Sequence, residues 1–448
     1  VAVPKTYHLV TLGCPKNDVD SSHLERLLAG GELVPVADPG EADAIIVNTC
    51  GFIEQSQAQS NEAVGRLAAA KRDGQTLIVA GCMTQLYGRQ VMEATPGVDH
   101  VFGVGQWHEV AKLLQVDVDA IYDIPEGNVR VEGPSAYLKV SDGCDAPCTF
   151  CVIPKIKGGL RSAPAGLLAK EAGRLVEAGA KELVLVGQDT TAWGEDLGLP
   201  VGSGLPGLLR MLSEAVGPET WLRLMYAYPS RVTPELIATM AELPNVVAYL
   251  DVPLQHGSEA VLRRMKRPHN LEKVFRFVEE LRSAMPDVVL RTSFIAGFPG
   301  ETEPEFEELL AFARAVEFDH AGCFTYSRQQ WTGAFEMEGQ VPDEVKAERR
   351  DRFMALQQGI SARRAARFVG RTLDLLVEGT GEDEDGRPVV AGRTYREAPE
   401  VDGLVFARGK AQPGERVPVV IEGASEYDLF GRLARAGGRR REMRAISP

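Results

Sequence analysis

Three cysteines within eight residues constrain this chain more than any other feature. Cys144, Cys148 and Cys151 form a C-x-x-x-C-x-x-C array inside Tyr-Leu-Lys-Val-Ser-Asp-Gly-Cys-Asp-Ala-Pro-Cys-Thr-Phe-Cys-Val-Ile-Pro, residues 137–154. The array follows a short apolar strand and shares its loop with Gly143 and Pro147. Thiolates at these separations can wrap one face of an iron–sulfur cube. With only three local ligands, one iron keeps an open position, unlike the four-thiolate clusters of electron carriers. The alternatives are a zinc site and a chance group of buried thiols. Zinc usually takes two C-x-x-C pairs or nearby histidines. Here His108 and His256 are remote and no fourth cysteine follows nearby.

At 448 residues the chain has room for about three domains of ordinary size. Its 44% hydrophobic and 25% charged content reads as globular. No run of about 18 apolar residues suggests a membrane span. The N-terminus lacks the basic and apolar stretches of a signal peptide, so a cytoplasmic location is expected. A net charge of −14 argues against nonspecific nucleic-acid binding over the whole surface. Seven cysteines, an odd number, do not suit a disulfide framework. They divide into two sets of three plus Cys323, which reads as core.

Residues 6–115 alternate short apolar strands (Tyr7–Leu12, Ala44–Val47, Leu77–Ala80, Val98–Gly103) with helical segments near 18–29, 55–71, 85–94 and 106–115. That alternation predicts a parallel sheet covered by helices. Cys14, Cys50 and Cys82 each follow one of the first three strands, beside Gly13, Gly51 and Gly81. Open α/β sheets build their sites at that edge, so the three are candidates for a second cluster. The competing reading is that they are small buried hydrophobes.

After a connector at 116–136, six strand–helix repeats follow, with strands at 137–140, 182–187, 221–226, 246–252, 288–296 and 319–326. They predict an open (β/α)6 barrel with its site at the carboxyl ends of the strands. Charged residues at 343–369 predict a helical bridge with a solvated face. Short β-like runs (Leu373–Glu378, Pro388–Gly392, Leu404–Ala407, Arg416–Ile421) then predict a small barrel of about five strands. The expected fold class is thus multidomain α/β. Its divisions are an N-terminal α/β domain at 1–120, the open barrel at 137–342, a helical linker at 343–370 and the β-barrel at 371–440.

The Cys144–Cys151 array resembles the signature of the radical S-adenosylmethionine (SAM) enzymes. In that family the methionine end of SAM chelates the open iron, and an electron from the cluster cleaves SAM to give a 5′-deoxyadenosyl radical. The resemblance implies that Phe150, the aromatic residue before the third cysteine, lies near the adenine. It places Gln188 and Asp189 near the methionyl or ribose groups and Arg291 against the carboxylate. Ile295 and Gly297, in Ile295–Gly297, would flank the adenine. Loop capping and turn chemistry are the alternative for each of these.

Taken whole, a three-cysteine α/β domain, a radical SAM barrel and a C-terminal barrel of the TRAM type resemble the methylthiotransferases, which insert a methylated sulfur into an unactivated C–H bond. The resemblance implies two 4Fe-4S clusters, two SAM molecules per turnover, and an electron donor such as flavodoxin or ferredoxin. One branch of the family modifies an adenosine of transfer RNA. The other modifies an aspartate β-carbon of ribosomal small-subunit protein twelve, free or in the ribosome. Leu12-Gly13-Cys14-Pro15-Lys16-Asn17, Gln188-Asp189-Thr190 and Glu426-Tyr427-Asp428-Leu429 match the second branch; transfer-RNA enzymes typically carry Gln and Met after the first cysteine. Asp142-Gly143-Cys144-Asp145-Ala146 departs from the commoner Glu-Gly-Cys-Asn and leaves the cysteines intact. Residues 371–434 carry eight basic and thirteen acidic side chains, a balance of −5. An acidic barrel suits a basic protein better than RNA phosphates, so transfer RNA is not the expected partner. A non-catalytic iron–sulfur carrier is the third reading, disfavoured by ligand-binding loops at several strand ends.

Overall fold

The computed structural model describes residues 4–116, 127 and 129–434. The first layer is a parallel sheet of β1 (Thr6–Thr11), β2 (Val34–Pro35), β3 (Ala44–Thr49), β4 (Thr76–Gly81) and β5 (His100–Phe102), ordered β2-β1-β3-β4-β5. Helices α1 (Pro15–Gly30), α2 (Glu54–Ala70), α3 (Cys82–Ala94) and α4 (Trp107–Leu113) cover it. The unbroken apolar start of β3 follows from burial on both faces. Ala44 and Ile46 pack with Leu24 and Leu28 of α1 and Val110 of α4. Ile45 and Val47 pack with Val64 and Leu67 of α2 and Met83 and Val91 of α3.

A two-residue ribbon of β7 (Ser141–Asp142) and β8 (Arg161–Ser162), together with α5 (Ile153–Ile156), frames the cysteine loop; β6 (Ser135–Lys139) leads into it. The main sheet runs β6, β9 (Glu182–Val186), β10 (Trp221–Leu224), β11 (Val246–Asp251), β12 (Val289–Ala296), β13 (His320–Thr325), parallel and in chain order. Its outer face is leucine-rich: Leu183, Leu185, Leu222, Leu224, Leu250 and Leu290 share one core with the surrounding helices. Those helices are α6 (Ala165–Glu177), α7 (Gly204–Val216), α8 (Pro234–Glu242), α9 (Glu259–Arg264), α10 (Leu271–Ala284) and α11 (Glu303–Val316). Cys323 is buried in this core, as expected.

Helix α12 (Asp343–Ala366) departs from the solvated bridge expected of 343–369. Phe353 and Ile360 enter the main core. Arg349 bonds Glu301 at 2.9 Å, while Arg364 and Arg367 both reach the buried Asp319. Only part of the arginine run faces water, because buried carboxylates on neighbouring elements demand cations.

The C-terminal segment closes into a barrel of β14 (Thr372–Glu382), β15 (Pro388–Arg393), β16 (Val405–Arg408), β17 (Arg416–Ala424) and β18 (Leu429–Leu433), ordered β14-β15-β16-β18-β17. Strand β18 was not among the runs read from the sequence; its Phe-Gly-Arg interior lacks an apolar alternation. The barrel fills the inner face of the six-stranded sheet, where Val184, Val186, Tyr249 and Val289 pack with its Leu375, Val377 and Val405. Fully buried Arg223 bonds Glu182 at 2.7 Å and donates to the carbonyl of Tyr395, while Arg393 bonds the same Glu182 at 2.7 Å. Burial opposes ionisation of Glu182, but the two guanidiniums hold its pKa down to about 2.

Candidate functional site

Strands β1, β3 and β4 are direct neighbours, so their carboxyl ends bring Cys14, Cys50 and Cys82 together. A methyl group placed on Gly13 would lie 3.2 Å from Cys50 Sγ, which shows how closely the strand ends approach. Polar groups hold the edge in register. Asn17 donates to Leu12 O at 2.7 Å, Asn48 donates to Asn17 O at 3.0 Å, and Ser60 bonds both the N–H and the carbonyl of Cys50.

The second triad lies on one loop. Cys144 N–H donates to Gly158 O at 3.1 Å, and Thr149 is anchored by its N–H to Met265 O and its hydroxyl to Arg264 O. Gly143 is required here: it has φ +71°, and a Cβ would sit 2.0 Å from Gly159 O. Burial pushes the thiols of Cys82 and Cys151 up to about 12, and raises that of Cys144. Sulfurs so buried become thiolates when a cationic metal centre replaces the proton.

All six cysteines line one cavity of about 430 Å³, which opens at the carboxyl ends of the main sheet. The N-terminal domain is clamped there by buried ion pairs. Asp20 of α1 accepts from Lys157 at 3.0 Å and from Lys139, and Asp142 accepts from both lysines. Arg26 grips Glu171 at 3.0 and 2.7 Å. Despite burial, the two ammoniums hold Asp20 well below the usual carboxylate range and also lower Asp142. Among the described residues no three His, Cys, Asp or Glu side chains converge to chelate a single metal ion. A 4Fe-4S cube puts each thiolate on a different iron, so its ligands stand further apart than those of a lone ion.

The expected SAM-contact residues do not all meet at this cavity. Phe150 and Gln188 line it, and the buried Gln188 Oε1 has no hydrogen-bond partner. Ile295 lies behind Phe150 in a small apolar cluster with Phe298 and Tyr326. Gly297 turns at φ +74° against Lys346, its N–H held by Glu301. Asp189 caps the short turn at Thr190–Ala192 and pairs with Arg231 at 3.1 Å. Arg291 is on the inner face of the sheet, bonded to Asp251 at 3.0 Å and facing Asp402 of the C-terminal barrel at 3.4 Å. Arg291 is thus engaged between the sheet and the C-terminal barrel and is not among the residues that line the cavity.

The cavity residues missed by sequence reasoning include Lys16, Tyr226, Tyr228 and Arg267. Arg267 stacks on Tyr228 at 4.1 Å and lies 3.7 Å from Cys148 Sγ, where a guanidinium can stabilise a thiolate. Lys16 and Tyr226 had the best signals, one inside the first cysteine motif and the other just after a strand.

The comparisons agree with this architecture. Residues 6–103 match the model of an uncharacterized protein family, UPF0004; residues 138–313 match the radical SAM superfamily; residues 369–434 match the TRAM domain. A protein of Chloroflexus aurantiacus named ribosomal protein uS12 methylthiotransferase RimO is 44% identical, covering 95% of this chain and 99% of its own. A protein of the same name from Herpetosiphon aurantiacus is 42% identical over 95% of this chain and 99% of its own. Among solved structures, the radical SAM methyltransferase TsrM from Kitasatospora setae superposes with a TM-score of 0.56 at 15% identity, over 74% of this chain and 77% of that one, which shows a shared fold. With three matching domains and full-length relatives of one name, the chain belongs to the family of radical SAM methylthiotransferases, in its ribosomal protein uS12 branch.

Proposed function

We propose that the enzyme adds a methylthio group to the β-carbon of an aspartate in ribosomal protein uS12. The observation that carries this reading is the pair of three-cysteine sets facing one cavity. Cys144, Cys148 and Cys151 would hold the cluster that binds SAM, and Cys14, Cys50 and Cys82 a second one. Together with SAM these groups supply the one-electron chemistry that a C–H bond without an acidic proton requires, and a site for the sulfur. Phe150 and Gln188 would orient SAM, Gln188 offering an unpartnered buried carbonyl oxygen. The cavity's largely apolar walls keep water from a reactive carbon centre. Two SAM molecules would be consumed per turnover, one giving its methyl group and one the radical, with electrons from a small donor such as flavodoxin or ferredoxin.

Incubating reconstituted enzyme with uS12, SAM and reductant tests the reading by mass spectrometry of the aspartate. S-adenosylhomocysteine and 5′-deoxyadenosine should both accumulate, and deuterium at the aspartate β-carbon should pass into 5′-deoxyadenosine. Methylthiolation of transfer RNA in place of uS12 would reject it.

A further inference from the structure

Among the described residues, interior lysines are paired with carboxylates, with one exception. Lys139 and Lys157 share Asp20 and Asp142, and Lys346 holds Asp343 at 2.8 Å. Lys16 is only 9% exposed. Its Nζ meets Gly187 O at 3.4 Å and the face of Tyr226 at 3.5 Å from the ring centroid, with no carboxylate in ion-pair reach among the described residues. A long bond to a carbonyl and a ring face offset little of the cost of taking an ammonium out of water. Lys16 also lines the cavity that holds both cysteine triads. A buried cation left without a counter-charge on the wall of a ligand cavity is a site for an anion.

We propose that Lys16 is the receptor for the side-chain carboxylate of the substrate aspartate and so determines which residue is modified. This rests on the methylthiotransferase reading above. On that reading two carboxylates enter the cavity: that of SAM and that of the target side chain. Arg267 already stands beside Cys148, on the side of the triad that serves SAM. Lys16 is two residues from Cys14, on the wall from which sulfur is delivered.

The chemistry of the target fits that placement. In aspartate the carboxylate carbon is bonded directly to the methylene that receives the sulfur. Fixing the carboxylate fixes the reacting carbon one bond away, which is the positioning a C–H reaction needs. An ammonium has three donors; Gly187 O takes one at most, and the others are free for carboxylate oxygens. Asparagine has the same shape without the charge and forfeits the charge-assisted bond. Glutamate carries its carboxylate one methylene further from the equivalent carbon.

The test is a binding cycle on reconstituted holoenzyme with SAM and no reductant, so that nothing turns over. Fluorescence anisotropy is read with a labelled uS12 peptide containing the target aspartate, and with the same peptide carrying asparagine there. Wild-type enzyme should prefer the aspartate peptide by roughly 10- to 100-fold, the range of one charged hydrogen bond. Lys16→Met should bring the ratio to about one, while Lys16→Arg, which keeps a cation, retains part of the preference. Iron content of both variants is counted, so that collapse of the site is not mistaken for lost recognition. An undiminished aspartate preference in a metal-replete Lys16→Met variant overturns the proposal. So does weaker SAM binding with the peptide preference intact, which would assign Lys16 to the cofactor. Wild-type enzyme that binds neither peptide rejects the protein-substrate reading itself, a result distinct from loss of preference in the variant alone.

Discussion

The two cysteine triads reach the same cavity by opposite routes. Cys144, Cys148 and Cys151 are spaced within one loop, which a few backbone hydrogen bonds hold in shape. Cys14, Cys50 and Cys82 come from three strands and meet only because those strands are adjacent and in register. A local site depends on a turn, whereas a dispersed one depends on an entire domain. The difference teaches where each is vulnerable. Damage to the N-terminal sheet should dissolve one set of ligands and spare the other, and the sharpest way to break the comparison is to strike each at its own weak point.

The largest effects are expected from glycines. At Gly81, with φ +102°, a Cβ would lie 2.5 Å from Asn48 Oδ1 and 2.7 Å from Thr49 O. Gly81→Val should therefore halve the iron bound after reconstitution, from about eight to about four per chain, and leave SAM cleavage. Gly143→Val should also halve the iron but abolish SAM cleavage. If either variant loses all its iron while folded, the triads are not independent. Replacing each triad by alanine should give the same division.

The clamp between the two domains ranks next. Asp20→Asn strands Lys139 and Lys157 with a weakened partner set, an uncompensated buried charge costing about 3–5 kcal/mol. Urea unfolding should show the loss, and its absence would mean that water reaches the clamp.

Acid should then loosen the C-terminal barrel from the sheet. The carboxyl of Glu182 is lowered from 4.5 to about 2, so its contribution is fully present above about pH 4.5 and is lost as the pH falls towards 2. The shift corresponds to about 3 kcal/mol. Glu182→Gln should remove this pH dependence, which limited proteolysis of the barrel between pH 5 and 2 (roughly the range of carboxylate titration) will follow.

The smallest effect concerns the exposed turn Glu382–Asp385. Several other acids of this barrel are used internally: Glu378 and Glu397 pair with arginines, and Asp402 accepts from Tyr249. Reversing Glu382, Asp383, Glu384 and Asp385 to lysine should weaken uS12 binding several-fold at low salt and little at high salt. Equal affinity across a salt series would show the turn to be uninvolved.

The sequence made strand and helix order legible because parallel strands buried on both faces carry unbroken apolar runs, as in Ala44–Val47. It made both triads legible because thiols at strand ends and in tight arrays are rare. It concealed what depends on contacts between distant segments. Arg291 looked like a ligand for an anion, and no periodicity could reveal that Asp402, far along the chain, occupies its guanidinium. Asp189 likewise follows a strand as a site residue would, yet its carboxylate goes to Thr191, Ala192 N–H and Arg231. Lys16 stands two residues after Cys14 in the sequence, but only the fold shows that no carboxylate among the described residues reaches it. The sequence also carries a basic run at 435–444, which lies outside the described residues.

The seating of the small barrel against the inner face of the six-stranded sheet has a consequence for the order in which the molecule is made. A chain emerging from its amino end completes the sheet well before residues 394–402 exist. Until they arrive, Arg223, Glu182 and Tyr249 are open to solvent and the sheet's concave wall is bare. The barrel strands, all made after residue 371, then cover the inner face of a sheet whose last strand ended at Thr325. A premature stop at the start of the barrel would thus leave every cysteine in place and still yield a sheet with one apolar face uncovered.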